Sequence, residues 1–126
     1  MFERKFNDLS TLSYRIFTVE RKVAHTVCVT VMEWSGVFGH GSRGNDDGVF
    51  MRVTTLAALS AWHANGVVFD LRNLHYEWGD KIWKMYGRGI DTIWCRRSPL
   101  RNGDLRQMHA RFQNVYVDYP TRIRYT

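Results

Sequence analysis

The residues of this chain best suited to chemistry fall into a few separate groups. Gly39, Gly41 and Gly44 spell G-x-G-x-x-G between a strand-like and a helix-like run, where backbone N–H groups and a helix N-terminus can cradle a pyrophosphate. Asn45, Asp46 and Asp47 follow at once and set two carboxylates where that anion must sit, with Arg43 offsetting only part of the charge. The segment GVFGHGSRGNDDG is therefore read as a connecting loop rather than a nucleotide site. Asp70 lies in the apolar run from Gly66 to Leu71, and a charge there must find donors or stand at an exposed strand end. A turn expected at Arg72 to His75 would supply them, the carboxylate accepting the backbone N–H groups of Asn73 to Tyr76. A ligand-binding role for Asp70 is the rival reading.

Histidines stand at 25, 40, 63, 75 and 109, with no i, i+4 pair or cluster, so no metal site is expected. His40 in the Gly-rich loop and His75 after the strand are the two expected near a functional edge. There is no GxSxG elbow, and Ser35, Ser42, Ser60 and Ser98 have no activating base beside them, so no catalytic residue and no cofactor is assigned. Arg88, Arg96, Arg97, Arg101, Arg106 and Arg111 alternate with Trp94, Met108 and Phe112, a pattern that can hold phosphates and stack bases. Those aromatics fall at core phases of a strand and a helix, which makes nucleic acid a disfavoured partner. Cys28 and Cys95 lie in strand-like runs as small hydrophobes rather than a redox pair.

The elements that must position these groups follow from periodicity. The chain has 126 residues, 44% of them hydrophobic, enough for one domain, 1–126, with a real core. Residues 1–12 lack a clean period and read as an irregular arm or short helix. Tyr14 to Val19 and Thr26 to Met32 are β-branched and aromatic, and a turn near Arg21 to His25 is too short for anything but an antiparallel pair. After the Gly-rich loop, Asp46 or Asp47 can cap a helix through Val49, Phe50, Val53, Leu56, Ala57, Leu59, Ser60 and Trp62, stopped at Asn65 and Gly66. A central strand at Val67 to Leu71 comes next, then a helix through Trp78, Ile82, Trp83, Met85 and Tyr86, and a strand at Ile90 to Cys95. A basic loop from Arg96 to Gly103, a helix through Leu105, Met108, His109 and Phe112, and a short strand at Val115 to Val117 complete the chain. The predicted fold is a single α/β domain, order β-β-α-β-α-β-α-β, with helices packed on a mixed, largely parallel sheet.

Charge and hydropathy narrow the partners. The net charge is +6, and residues 71–126 carry the whole excess, with eleven Lys or Arg against five Asp or Glu. Fourteen of the eighteen basic residues are Arg, which suits bidentate contact with phosphate or carboxylate. No run of about 18 apolar residues is present, and the first residues lack a secretory apolar stretch, so a cytoplasmic protein without a membrane partner is expected.

GVVFDLRNLHYEWGDKIWKM, from Gly66 to Met85, resembles the signature of STAS domains, the sulfate-transporter and anti-sigma-factor-antagonist family. In that family a strand ending in Asp precedes a short turn and an Asp-Ser-Ser-Gly helix start. The preceding β-β-loop-α-β order, with Ser35 and Gly36 opening the loop, is similar too, over roughly residues 14 to 112. Asp70 matches the strand Asp and Glu77 the first acid of the turn, whereas Trp78 and Gly79 occupy the two Ser positions. The resemblance implies a regulatory protein–protein interaction module of a bacterial-type cytoplasm that lacks the phosphorylated serine. Glu77 and Asp80 would then supply fixed negative charge at a helix N-terminus. Tyr76 to Lys81 is also similar to the crotonase segment whose backbone N–H helps form an oxyanion hole that polarises a thioester carbonyl. Members of that superfamily are much longer, so this second resemblance implies a truncated, inactive relative.

Ligand or partner contacts are accordingly expected from His40, Arg43, Asp70, Arg72, His75, Glu77, Asp80 and Arg97. A protein partner is the first expectation, self-association is left open, and a small anionic ligand such as a nucleotide or acyl-CoA is the alternative.

Overall fold

The computed structural model describes residues 1–22, 26–77, 93–96 and 115–118. Five strands form one sheet in the order β1-β2-β3-β4-β5: β1 (Ser13–Lys22), β2 (Thr26–Val37), β3 (Gly66–His75), β4 (Ile93–Arg96) and β5 (Val115–Asp118). Helix α1 (Gly44–Ala61) joins β2 to β3. The β1/β2 pair is antiparallel, with Lys22 opposite Thr26, and every other pair is parallel. This is the mixed α/β sheet with an antiparallel edge that the apolar patterning predicts. The helices expected around 78–86 and 105–112 lie outside the described residues.

Register assigns the two faces. Ile16, Met32 and Phe69 align across three strands on the face that carries α1, while Phe17, Val31 and Val68 align on the other. Met32, Trp34, Val67, Phe69 and Leu71 meet Phe50, Met51 and Ala58 of α1 in one buried cluster. Each large side chain so buried contributes roughly 2 kcal/mol of transfer free energy. The helix presents a stripe of Gly44, Gly48, Met51, Thr55 and Ala58 at three- and four-residue spacing, with Phe50 beside it. Of the expected face, Phe50 lies in the core and Leu56 and Leu59 pack against it, whereas Val49 and Trp62 are exposed. Small residues let α1 lie close to the sheet, and the Thr55 hydroxyl donates to the Met51 carbonyl at 2.7 Å, so it enters the core satisfied.

Both central strands run further than expected. Gly36 and Val37, read as loop, pair with Leu74 and His75, read as turn. Glu33 pairs with Asp70 but Ser35 with Asn73, so Leu71 and Arg72 together oppose Trp34 in a bulge of β3. The extra residue shifts the alternation by one: Val67, Phe69 and Leu71 point to the core before it, and Leu74 and Tyr76 after it.

The helix boundaries also differ. Asp46 and Asp47 lie inside the first turn of α1, and Arg43 holds the N-cap position without a side-chain cap. At the other end α1 stops at Ala61, before Asn65 and Gly66. His63 adopts φ +50°, Ala64 N–H donates to Leu59 O, and His63 N–H donates to Ser60 O, the double closure of a Schellman motif with His where Gly is usual. His63→Gly is expected to stabilise the fold by about 1 kcal/mol, read as a shifted urea midpoint at constant slope. Asn65 acts beyond the helix end. Its side-chain oxygen accepts from Cys28 N–H at 2.9 Å, and its own N–H donates to Cys28 O at 2.7 Å. These bonds tie the start of β3 to β2. Cys28 is buried with a free thiol.

The N-terminal arm is irregular apart from a 3-10 turn at Phe6–Asp8, and it ends with Leu12 buried in the core.

Candidate functional site

Parallel pairing of β2 and β3 brings two chain exits to one end of the sheet, the edge where open α/β sheets place their ligands. Val37 and His75 form the last register pair, and Phe38 N–H donates to His75 O at 2.9 Å. Beyond that point Phe38 and Tyr76, both buried, pack edge to face with ring centroids 5.7 Å apart. Above this aromatic base lies an exposed polar group. His40 Nε2 stands 3.2 Å from Glu77 Oε2, and His75 Nε2 donates to Glu77 Oε1 at 3.3 Å. One carboxylate thus joins an imidazole from the loop after β2 and one from the end of β3.

Three of the sequence-predicted residues, His40, His75 and Glu77, therefore share one site. The imidazoles straddle the carboxylate, each on its own oxygen, rather than converging on a point. Consistent with that, no group of three or more His, Cys, Asp or Glu among the described residues is placed to hold a metal ion. No described helix is long and apolar enough to cross a membrane.

Asp70 and Arg72 make a second, deeper pair. Asp70 is buried, and Arg72 Nε donates to its Oδ1 at 2.8 Å and its Oδ2 at 2.9 Å, with Nη2 on Oδ2 at 2.5 Å. The Arg72 backbone N–H also donates to Oδ1, at 3.2 Å. Arg72 supplies donors to Asp70 in place of those expected at Asn73 to Tyr76, because β3 continues as strand where a turn was predicted. The carboxylate satisfies a peptide group at the bulge and clamps the guanidinium of the same residue. The hydrogen bonds to Asp70 are the main cause that raises the Arg72 pKa above its ordinary value, with the fields of Asp70 and Glu33 adding to them against desolvation. Arg15 lies 3.6 Å from Glu33 and 5.0 Å above the Phe17 ring.

The Gly-rich loop closes on itself. Asp47 Oδ2 accepts from Gly39 N–H at 2.8 Å, and Oδ1 accepts from Ser10 Oγ at 2.5 Å, so both oxygens serve the loop and the arm. Ser10 Oγ in turn accepts from Leu12 N–H at 3.1 Å. A carboxylate of the chain itself thus fills the place where the G-x-G-x-x-G pattern would seat an anion. Two of its glycines have steric reasons: a Cβ at Gly39 would lie 2.7 Å from the Arg43 carbonyl carbon, and one at Gly44 2.5 Å from Gly39 O. Asp47→Ala is expected to cost about 2 kcal/mol, because the Gly39 N–H and the Ser10 hydroxyl lose their acceptor together. Chemical denaturation measures it, and Asp47→Asn should recover part of the loss.

Arg43 stands exposed at the N-cap of α1, and Asp80 and Arg97 lie outside the described residues. Sequence reasoning missed the roles of Ser10, Phe38 and Asn65, whose partners lie 37 or 38 residues away along the chain. Comparison with protein-family models, with curated proteins and with solved structures gave no match.

Proposed function

We propose that the chain is a non-enzymatic interaction module, resembling a STAS domain, that docks a protein partner on the exposed His40, His75 and Glu77 surface. One observation carries this reading: among the described residues, the space between the β2 and β3 exits, where a small ligand could bind, is filled by the chain's own groups. Asp47 takes the Gly39 N–H, and Phe38 with Tyr76 packs the space between the two exits. Outside it stand two exposed imidazoles and a carboxylate, suited to polar contacts with another surface. The STAS likeness is supported by the antiparallel first pair and the β2-α1-β3 unit. Trp78 and Gly79 stand at that family's Ser positions, so partner binding here has no serine switch at that site.

The test has two arms. Titration of the full chain with ATP, NAD and acetyl-CoA in a calorimeter should give no saturable heat, and saturable heat with any of them replaces this reading with the anionic-ligand one. A photo-crosslinker at His75 should then capture a defined protein that the same label at Val49 does not, with capture lost on Glu77→Lys. Equal capture from both positions, or capture indifferent to Glu77→Lys, would sink the docking site.

A further inference from the structure

Strand β1 ends the sheet, and among the described residues no strand pairs with its outer edge. Natural sheets guard such an edge with proline, bulges, short strands or charges aimed off it. Charges stand only at the end of β1, Glu20, Arg21 and Lys22, and at Arg15; otherwise the strand runs ten residues without Pro or Gly and pairs with β2 in unbroken register from Ser13 to Lys22. The one charge in its middle, Arg15, is drawn over the sheet by Glu33 and the Phe17 ring. Meanwhile Tyr14, Phe17 and Val19 are 40%, 41% and 43% exposed.

We propose that two copies of this chain pair antiparallel through their β1 edges, about a two-fold axis at Phe17, to make one continuous sheet. The pleat selects the register. Directly opposed residues must lie on the same face, so under two-fold symmetry the axis passes through a residue and not between two. With Phe17 opposite its own copy, Ile16 faces Thr18, Arg15 faces Val19 and Tyr14 faces Glu20. No like charges meet, and the Tyr14 hydroxyl comes beside a carboxylate. Moving the axis to Thr18 sets Ile16, partly buried against the core, opposite Glu20 instead. The Phe17 register therefore covers the exposed apolar groups of the edge with groups of the second copy, including the Arg15 stem over Val19. The occupant is a second copy because in this register nine residues of the strand, Ser13 to Arg21, pair with their own copy with no like charges opposed, whereas an axis at Ile16 pairs only seven and one at Thr18 opposes Arg15 with Arg21.

Sedimentation of the full chain at increasing concentration should approach twice the 14.9 kDa mass of one chain. Phe17→Lys places two ammonium groups at the axis and should weaken the dimer at least tenfold while circular dichroism stays unchanged. Phe17→Cys should form a covalent dimer under mild oxidation, linked through the introduced thiols by peptide mass spectrometry. Val19→Cys, equally exposed but separated from its copy by four residue steps, should not. A monomer at all concentrations, a dimer indifferent to Phe17→Lys, or equal crosslinking at both positions overturns the proposal.

Discussion

Arg72→Ala is expected to destabilise the fold by about 3 kcal/mol, the low end of what breaking a buried ion pair costs. The low end applies because the Arg72 side chain is 36% exposed whereas that of Asp70 is 6% exposed, so water can partly replace the guanidinium. What makes the loss large is the partner left behind: a buried carboxylate deprived of its three guanidinium contacts and retaining the Arg72 backbone N–H. Asp70→Asn should cost less, about 1.5 kcal/mol, since the Arg72 head can turn to solvent. The double variant should cost less than the sum, and a coupling near zero in that cycle would show that the pair is a bystander. The sign with pH is fixed by the raised Arg72 pKa. A cation held more tightly in the folded chain stabilises fully below its unfolded pKa and loses that only as pH rises through the higher folded value. Both lie in strongly alkaline solution, so the guanidinium adds no pH dependence near neutrality.

The consequence reaches the candidate site. Asp70 accepts the N–H of a bulged residue, and the bulge turns Leu74 and Tyr76 inward so that His75 and Glu77 face out. In Asp70→Ala, which removes that acceptor, the capture of a partner through His75 should therefore weaken although neither imidazole has been touched. Asp70 thus helps set which residues reach the proposed docking surface.

How much of this was legible in the chain depends on the range of the interaction. Strand-forming runs at Tyr14 to Val19, Thr26 to Met32 and Val67 to Leu71 declare themselves locally, because β-branched and aromatic residues alternate with polar ones or run unbroken. Ser35-Gly36 and Arg72-Asn73 are polar and turn-prone, so each reads alone as a break; as neighbours in a parallel pair they extend the sheet. In α1 the core side is shared by Phe50 and Met51 with Gly44, Gly48 and Thr55, whose small or polar side chains apolar periodicity does not select. His40 and His75 were recognisable as edge residues, yet their meeting on Glu77 is a tertiary fact that no spacing encodes. The G-x-G-x-x-G letters mislead for a related reason: glycine is required wherever backbone meets backbone, whether or not a phosphate lies between.

Gly44→Ala tests that last point and is expected to cost about 3 kcal/mol, the upper end for overpacking a filled site. A Cβ at Gly44 would come within contact distance of two groups at once, the Phe38 ring and the Gly39 carbonyl oxygen. A ring can rotate, but the carbonyl belongs to a backbone segment whose N–H is held by Asp47, so relief requires the loop neck to move as a unit. Moving it pulls Phe38 from Tyr76 and His40 from Glu77, since all three contacts hang on one short stretch of chain. Were the loop a phosphate cradle, Gly44→Ala would chiefly abolish anion binding, and phosphate or a nucleotide would protect the wild-type chain against denaturant. Here the expected result is a lowered urea midpoint for Gly44→Ala and no shift of the wild-type midpoint on adding either anion. A variant of wild-type stability would mean that the neck has room to spare, and that the glycine spacing reflects something other than the close approach of Gly39 and Gly44.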